Sequence, residues 1–239
     1  MYSDADAAAL YDLLNPWGPS DDLYLSFVLD APSVLDVGCG TGVLLHRARE
    51  AGHTGRLCGL DPDAAALERA RRRSDIEWVE GTAAEAGPKA EFELAVMASN
   101  VFQVFVTDEQ VRTSLAGVRA ALAAGGRLVF GTRHPQARAW EEWNPADSFD
   151  VVDHTGRPLR MIYHVESVEG GVVTFTETTA TREDEPLRSD RASLRFLGPD
   201  GIEAFLAEAG FEVEQYYGDW ARGPLTDASK VIVVVARAV

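Results

Sequence analysis

The run Val34-Leu35-Asp36-Val37-Gly38-Cys39-Gly40-Thr41-Gly42 constrains this chain more than any other stretch. A short apolar segment ending in an acid reads as a buried strand, and the continuation Val43-Leu44-Leu45-His46-Arg47-Ala48-Arg49 reads as an amphipathic helix. Between them, three alternating glycines suit a tight turn whose backbone can approach a ligand, because no Cβ stands in the way. Strand, glycine turn and helix together form a nucleotide-type site. The dinucleotide fingerprint needs a third small residue one place beyond Gly42, where this chain carries the β-branched Val43, so a pyrophosphate is not the expected ligand.

Beyond this helix the chain repeats the strand and helix alternation of a parallel sheet. Residues 55–61 read as a second strand ending in an acid, and Pro62 opens a helix expected over 63–73. Asp61 lies nineteen residues beyond Gly42, where a βαβ unit returns the chain beside the first strand, so its carboxylate can accept both hydroxyls of a ribose. The plain alternative is an N-capping aspartate. Residues 76–80 give a third strand before the turn 81–85, and 92–100 are apolar enough for a central fourth strand. A helix is expected over 108–123, capped by Asp108 and closed by Gly125-Gly126, and a fifth strand over 127–131.

From Thr132 the alternation stops. Residues 160–196 read as alternating strands, with a hairpin connection at Glu169-Gly170-Gly171. A helix over 199–209 and strands over 211–217 and 230–236 end the chain. Before the first strand, helical patterns cover 7–14 and 21–29, separated by Pro16, Gly18 and Pro19.

With these elements in this order, Val34 to Gly42 resembles the first motif of the class I S-adenosylmethionine-dependent methyltransferases, Asp61 resembles their second, and the match is closest over residues 33–131. The resemblance implies an α/β, Rossmann-like, doubly wound seven-stranded sheet, mostly parallel with an antiparallel last strand. To this a small antiparallel β insert is added. Residues 1–32 are then a helical leader or lid, 33–149 and 198–239 the S-adenosylmethionine-binding domain, and 150–197 the insert, expected over the cleft.

The resemblance also implies roles. Asp36, Gly38, Cys39 and Gly40 hold the amino-acid end of the cofactor, and Asp61 and Pro62 face the ribose. Thr82 and the Ala83 backbone face the adenine. Tyr11 and Trp17, with Tyr24, belong to the lid. Open α/β sheets bind ligands beyond the carboxyl ends of their strands, so Ala98, Ser99 and Asn100 should border the methyl group, with Phe102 as a shield for the sulfonium and Asn100 and Gln103 as polar contacts.

Charge narrows the acceptor. A net charge of -16 and a pI near 4.7 oppose a phosphate backbone. The one dense basic cluster, Arg69, Arg71, Arg72 and Arg73, falls at a predicted helix end, where cations complement the helix dipole. The composition, 46% hydrophobic and 25% charged, is that of a globular protein. The acidic start lacks a signal-peptide layout, and no run approaches the ~18 apolar residues of a membrane span, so the expectation is a cytoplasmic chain with no nucleic-acid or membrane partner, a monomer or homodimer. Cys39 and Cys58 have no metal spacing.

The expected reaction moves a methyl group from S-adenosylmethionine to an O or N atom of a small-molecule acceptor by in-line displacement. His134, beyond the fifth strand, is the leading general base, with His164 and Asp219 as replacements. Two other readings are a non-catalytic S-adenosylmethionine or S-adenosylhomocysteine binder and, with Val43 against it, a nicotinamide oxidoreductase.

Overall fold

The computed structural model describes residues 2–86 and 91–239. Five parallel strands build most of the main sheet: β1 (Ser33–Val37), β2 (Arg56–Asp61), β3 (Glu77–Glu80), β4 (Phe92–Met97) and β5 (Leu122–Arg133). The last two strands, β10 (Phe211–Tyr217) and β11 (Val231–Ala238), complete it, and the order across the seven is β10-β11-β5-β4-β1-β2-β3. β11 runs opposite to the other six and pairs antiparallel with both β10 and β5. The order turns at β1, which pairs with β2 on one side and β4 on the other, and it is there that a crevice opens at the strand ends.

Successive side chains of a strand point to opposite faces, and here both faces are buried. Leu35, Val37, Met97 and Phe130 pack on one side with Val111, Leu115 and Val118 of α5 (Asp108–Ala121) and Ile202 and Leu206 of α6 (Pro199–Glu208). Val34, Leu94, Val96 and Val129 pack on the other with Tyr24 and Val28 of α2 (Pro19–Asp30) and Leu44, Leu45 and Ala48 of α3 (Val43–Glu50). Each fully buried leucine or valine in these layers contributes roughly 1.5 to 3 kcal/mol relative to exposure. Among the described residues, no helix is long and apolar enough to cross a membrane.

Several boundaries differ from the sequence expectation for local reasons. The helix after β2 is short, α4 (Ala64–Ala70): Asp63, not Asp61, caps its start by accepting from the Ala65 and Ala66 N–H groups, and Arg71 is its C-cap. Arg71, Arg72 and Arg73 therefore lie beyond it. α5 is capped by Thr107, whose hydroxyl accepts from the Gln110 N–H, while Asp108 is its first helical residue. Gly125 and Gly126 do not close α5; they lie inside β5, near the shift in its pairing with β4 between Phe92 and Leu94. β4 ends at Met97, not Asn100, since Ser99 (φ +49°) and Asn100 (φ +60°) turn left-handed, which no strand continues.

A second, separate sheet is wholly antiparallel, with order β6 (Phe149–Val152), β7 (Pro158–Glu169), β8 (Val172–Ala180) and β9 (Pro186–Arg195). Its buried Leu159 and Met161 pack with Tyr2 and with Leu10 of α1 (Asp4–Leu14). Gln103, fully buried, joins the two sheets: its Nε2 donates to the Arg195 carbonyl and its Oε1 accepts from the Arg133 guanidinium and backbone N–H.

Candidate active site

The crevice at the ends of β1, β2 and β4 is a cavity of about 860 Å³, roofed by α1 and bordered by β8 and β9 of the second sheet. Its floor is the glycine turn. The Gly38 and Cys39 N–H groups both donate to the Leu60 carbonyl, at 2.7 and 3.2 Å, which fixes the turn against β2. Gly38 sits at φ +72°, and a Cβ there would lie 2.5 Å from Cγ2 of Val101, so the residue is needed for both conformation and space. Gly40 is also left-handed, at φ +53°, but a Cβ there would meet nothing within 4 Å, so the space it leaves belongs to the cavity.

Asp61 holds this arrangement from β2. One carboxylate oxygen accepts from the Gly40 N–H at 2.7 Å and the other from the Asp63 N–H at 2.8 Å. Its lone pairs are not exhausted by two bonds, and the carboxylate lines the cavity. Asp36 is different. It is 2% exposed, its Oδ1 has no hydrogen-bond partner, and it too lines the cavity. Burial, and then the charge of Asp61, push its carboxyl up to about 7. A cation delivered to this wall would relieve both the desolvation and the repulsion. An open cradle at Gly40, a buried acid without a partner and an acid with free acceptor capacity fit the ammonium and ribose of S-adenosylmethionine.

At the far end of the turn after β3, the Thr82 hydroxyl and N–H both donate to Glu85 at 2.9 Å, so the side chain offers a ligand only acceptor capacity. Thr82, Ala83 and Ala84 line the cavity there with Gln110, Thr113 and Ser114 of α5.

Eleven of the twelve residues expected at the cofactor are brought around this one cavity: Tyr11, Trp17, Asp36, Gly38, Cys39, Gly40, Asp61, Pro62, Thr82, Ala83 and Ala98. Phe102 is not. Its ring is buried in the core and stacks on Phe130 with centroids 4.4 Å apart, and the neighbouring Val101 meets the cavity instead. Tyr24 lies under the sheet against Trp220, and Asn100 and Gln103 are likewise outside the lining.

The base candidates do not reach the cavity either. His134 is 4% exposed and does not line it; its Nδ1 accepts from the Gln136 N–H and so closes the turn at Pro135. His164 is exposed on β7, and the Asp219 carboxylate accepts from the Ala221 and Gly223 N–H groups of its own loop. Cys39, in the cavity wall, has its thiol pushed up by burial first and then by the charges of Asp36 and Asp61, which works against a thiolate there.

Some wall residues escaped sequence reasoning. Asp12 accepts from the Thr41 hydroxyl and from Arg69 at 2.7 Å, tying α1 to both the glycine turn and α4. Glu177, Thr179, Arg188 and Asp190 close the side formed by the second sheet. Nothing local in the chain signals any of them, because each meets its partners only across elements.

Residues 34–126 match the family model described as "Methyltransferase domain". The chain is 29% identical over 222 residues to a cypemycin N-terminal methyltransferase of a Streptomyces species, covering 87% of this chain and 83% of that protein. It is 36% identical over 124 residues to a 2-phytyl-1,4-naphtoquinone methyltransferase of Thermosynechococcus vestitus, spanning 51% of that protein. Its fold is similar to that of the methyltransferase CcbJ of Streptomyces caelestis (TM-score 0.76, 16% identity, 99% of each chain). It is also similar to the S-adenosylmethionine-bound amino pentose methyltransferase CalS10 of Micromonospora echinaspora (TM-score 0.71, 20% identity, 100% of this chain and 98% of that one). The match lies over the glycine turn, Asp61 and strands β1 to β4 and ends within β5, so residues 34–126 carry a methyltransferase domain, and the fold is that of solved S-adenosylmethionine-dependent methyltransferases.

Proposed function

We propose that this enzyme methylates an O or N atom of a small-molecule acceptor. The observation that carries the reading is the continuity of the cavity: it runs from the glycine turn past Ala98 and Ser99 to β8 and β9, which leaves room beyond the cofactor residues for a small acceptor under α1. The net charge of -16 speaks against an acceptor carried on a nucleic acid. The similar cypemycin and amino pentose methyltransferases are consistent with it.

Asp36 would face the cofactor's ammonium, Asp61 its ribose hydroxyls, and Thr82 and Ala83 its base. S-adenosylmethionine supplies a methyl group on a positive sulfur, already activated toward a nucleophile. What the chain contributes is alignment. α1, pinned through Asp12, and the second sheet enclose the acceptor space; holding two reactants in line is a source of roughly 7 to 11 kcal/mol of barrier reduction.

The test is transfer of labelled methyl from S-adenosylmethionine to a library of small hydroxyl and amino compounds, with RNA and protein substrates alongside. Label appearing only in macromolecules would refute the reading.

A further inference from the structure

The second sheet places an acid where its covered face is otherwise mostly apolar. Residues two apart on a strand share a face, so Phe175, Glu177 and Thr179 of β8 lie together. Phe175 and Thr179 are buried, and Glu177, half-buried between them, lines the cavity. Directly across in register stand Tyr163 of β7, with its hydroxyl toward the Glu177 carboxylate, and Asp190 of β9.

The nearest cation is already engaged. Arg188 bonds to Asp4 of α1 at 2.6 Å and to Asp190 at 2.5 Å, and among the described residues Glu177 makes no ion pair. This end of the cavity therefore carries three carboxylates, Asp4, Glu177 and Asp190, against one guanidinium. A desolvated carboxylate without a counterion is costly, and a cationic ligand would remove that cost. A neutral hydroxyl acceptor would leave it in place.

We propose that Glu177 is the catalytic residue that receives the ammonium group of an amine acceptor and takes its proton, which makes the enzyme an N-methyltransferase. The proposal rests on the small-molecule reading above and specifies its acceptor. The ammonium proton passes to the Glu177 carboxylate, and the nitrogen lone pair so freed forms the N–CH₃ bond. The S–CH₃ bond breaks with its electron pair left on sulfur, and the proton leaves Glu177 for water after release. The carboxyl is suited to this: burial and Asp190 push it above the usual carboxylate range, while Tyr163 and Arg188 pull it back. The other charged or titratable groups at this end are Asp4 and Tyr11 of α1, with Arg133 of β5 beyond Tyr163.

The experiment uses the full chain with methyl-labelled cofactor and matched acceptors: benzylamine, cyclohexylamine, glucosamine and an alanyl dipeptide beside benzyl alcohol, cyclohexanol and glucose. Label should enter amine members only, with kcat/KM rising with pH on an acidic limb set by Glu177. Glu177→Gln should lower kcat ~100 to 10,000-fold and abolish that limb, whereas Glu177→Asp should keep the limb and part of kcat. Carboxyl NMR of Glu177 should shift when the amine is added to protein saturated with S-adenosylhomocysteine, and calorimetry should find S-adenosylhomocysteine affinity within ~2-fold of wild type in both variants. Transfer confined to hydroxyl members, a Glu177→Gln kcat within ~3-fold of wild type, or neither transfer nor an NMR shift with any amine would overturn the proposal. Loss of S-adenosylhomocysteine binding by the wild type would instead strike at the transferase reading itself.

Discussion

Replacing Asp36 by asparagine tests the claim that the buried acid in the cavity wall is kept for a cation. Its carboxyl is raised from 3.8 to about 7, by burial first and by Asp61 second. In the cofactor-free protein the folded state therefore holds a proton that the unfolded state has released. The stability this represents is full below pH ~4 and is lost as pH rises through ~7, about 4 kcal/mol in all at ~1.4 kcal/mol per unit. A cofactor ammonium needs the charged form. At pH 6 only about a tenth of the Asp36 carboxyls carry charge, so affinity should lie roughly tenfold below its plateau and climb through pH 7 to near the plateau at pH 8. Calorimetry with S-adenosylmethionine in buffers of different ionisation enthalpy should show about half a proton released on binding at pH 7. Asp36→Asn should bind more weakly, with a flat profile and no such release, and its cofactor-free melting temperature should fall less between pH 5 and 8. A wild-type affinity that does not change between pH 6 and 8, or an Asp36→Asn profile as steep as wild type, would refute the reasoning.

Asp61→Ala should weaken S-adenosylmethionine binding by about 1 to 3 kcal/mol, since it removes the carboxylate proposed to take the ribose hydroxyls and leaves the Gly40 and Asp63 N–H groups unmatched; calorimetry at pH 8 is the check. Asp12→Ala should leave Arg69 half-buried without its partner and release α1 from the glycine turn, so that proteolysis within residues 4–14 speeds up while the core melts nearly as before. His134→Gln removes a buried ring that caps a turn outside the cavity. It should cost about 1 to 2 kcal/mol in a denaturant titration and leave kcat within ~3-fold of wild type, and a larger loss of turnover at normal cofactor affinity would restore His134 as a base.

The parts legible in the chain were those whose signal is local. A strand, a three-glycine turn and a helix within sixteen consecutive residues, 34–49, had to place backbone against a ligand, and Asp61 had to return beside it, because a right-handed βαβ unit allows little else. The seven-stranded sheet followed from the family resemblance these motifs carry, and strand periodicity over residues 160–196 signalled an antiparallel insert without fixing its four strands. Phe102 and His134 were misplaced for a common reason. Both stand near strand ends on the ligand side, but the left-handed turn at Ser99 and Asn100 sends Phe102 under the sheet onto Phe130, and Pro135 turns the chain so that His134 caps its own loop.

Position along the chain says which end of the sheet a residue occupies, and not which way its side chain faces. The amino-acid sequence determined the half of the cavity built on the glycine turn, because turn geometry and strand periodicity are set by neighbours a few residues apart. The half proposed to take the acceptor was decided only by tertiary structure. Asp12 meets Thr41, Asp4 meets Arg188, and Glu177 enters the cavity from a separate sheet, through contacts between residues tens to nearly two hundred positions apart whose types carry no mark of one another.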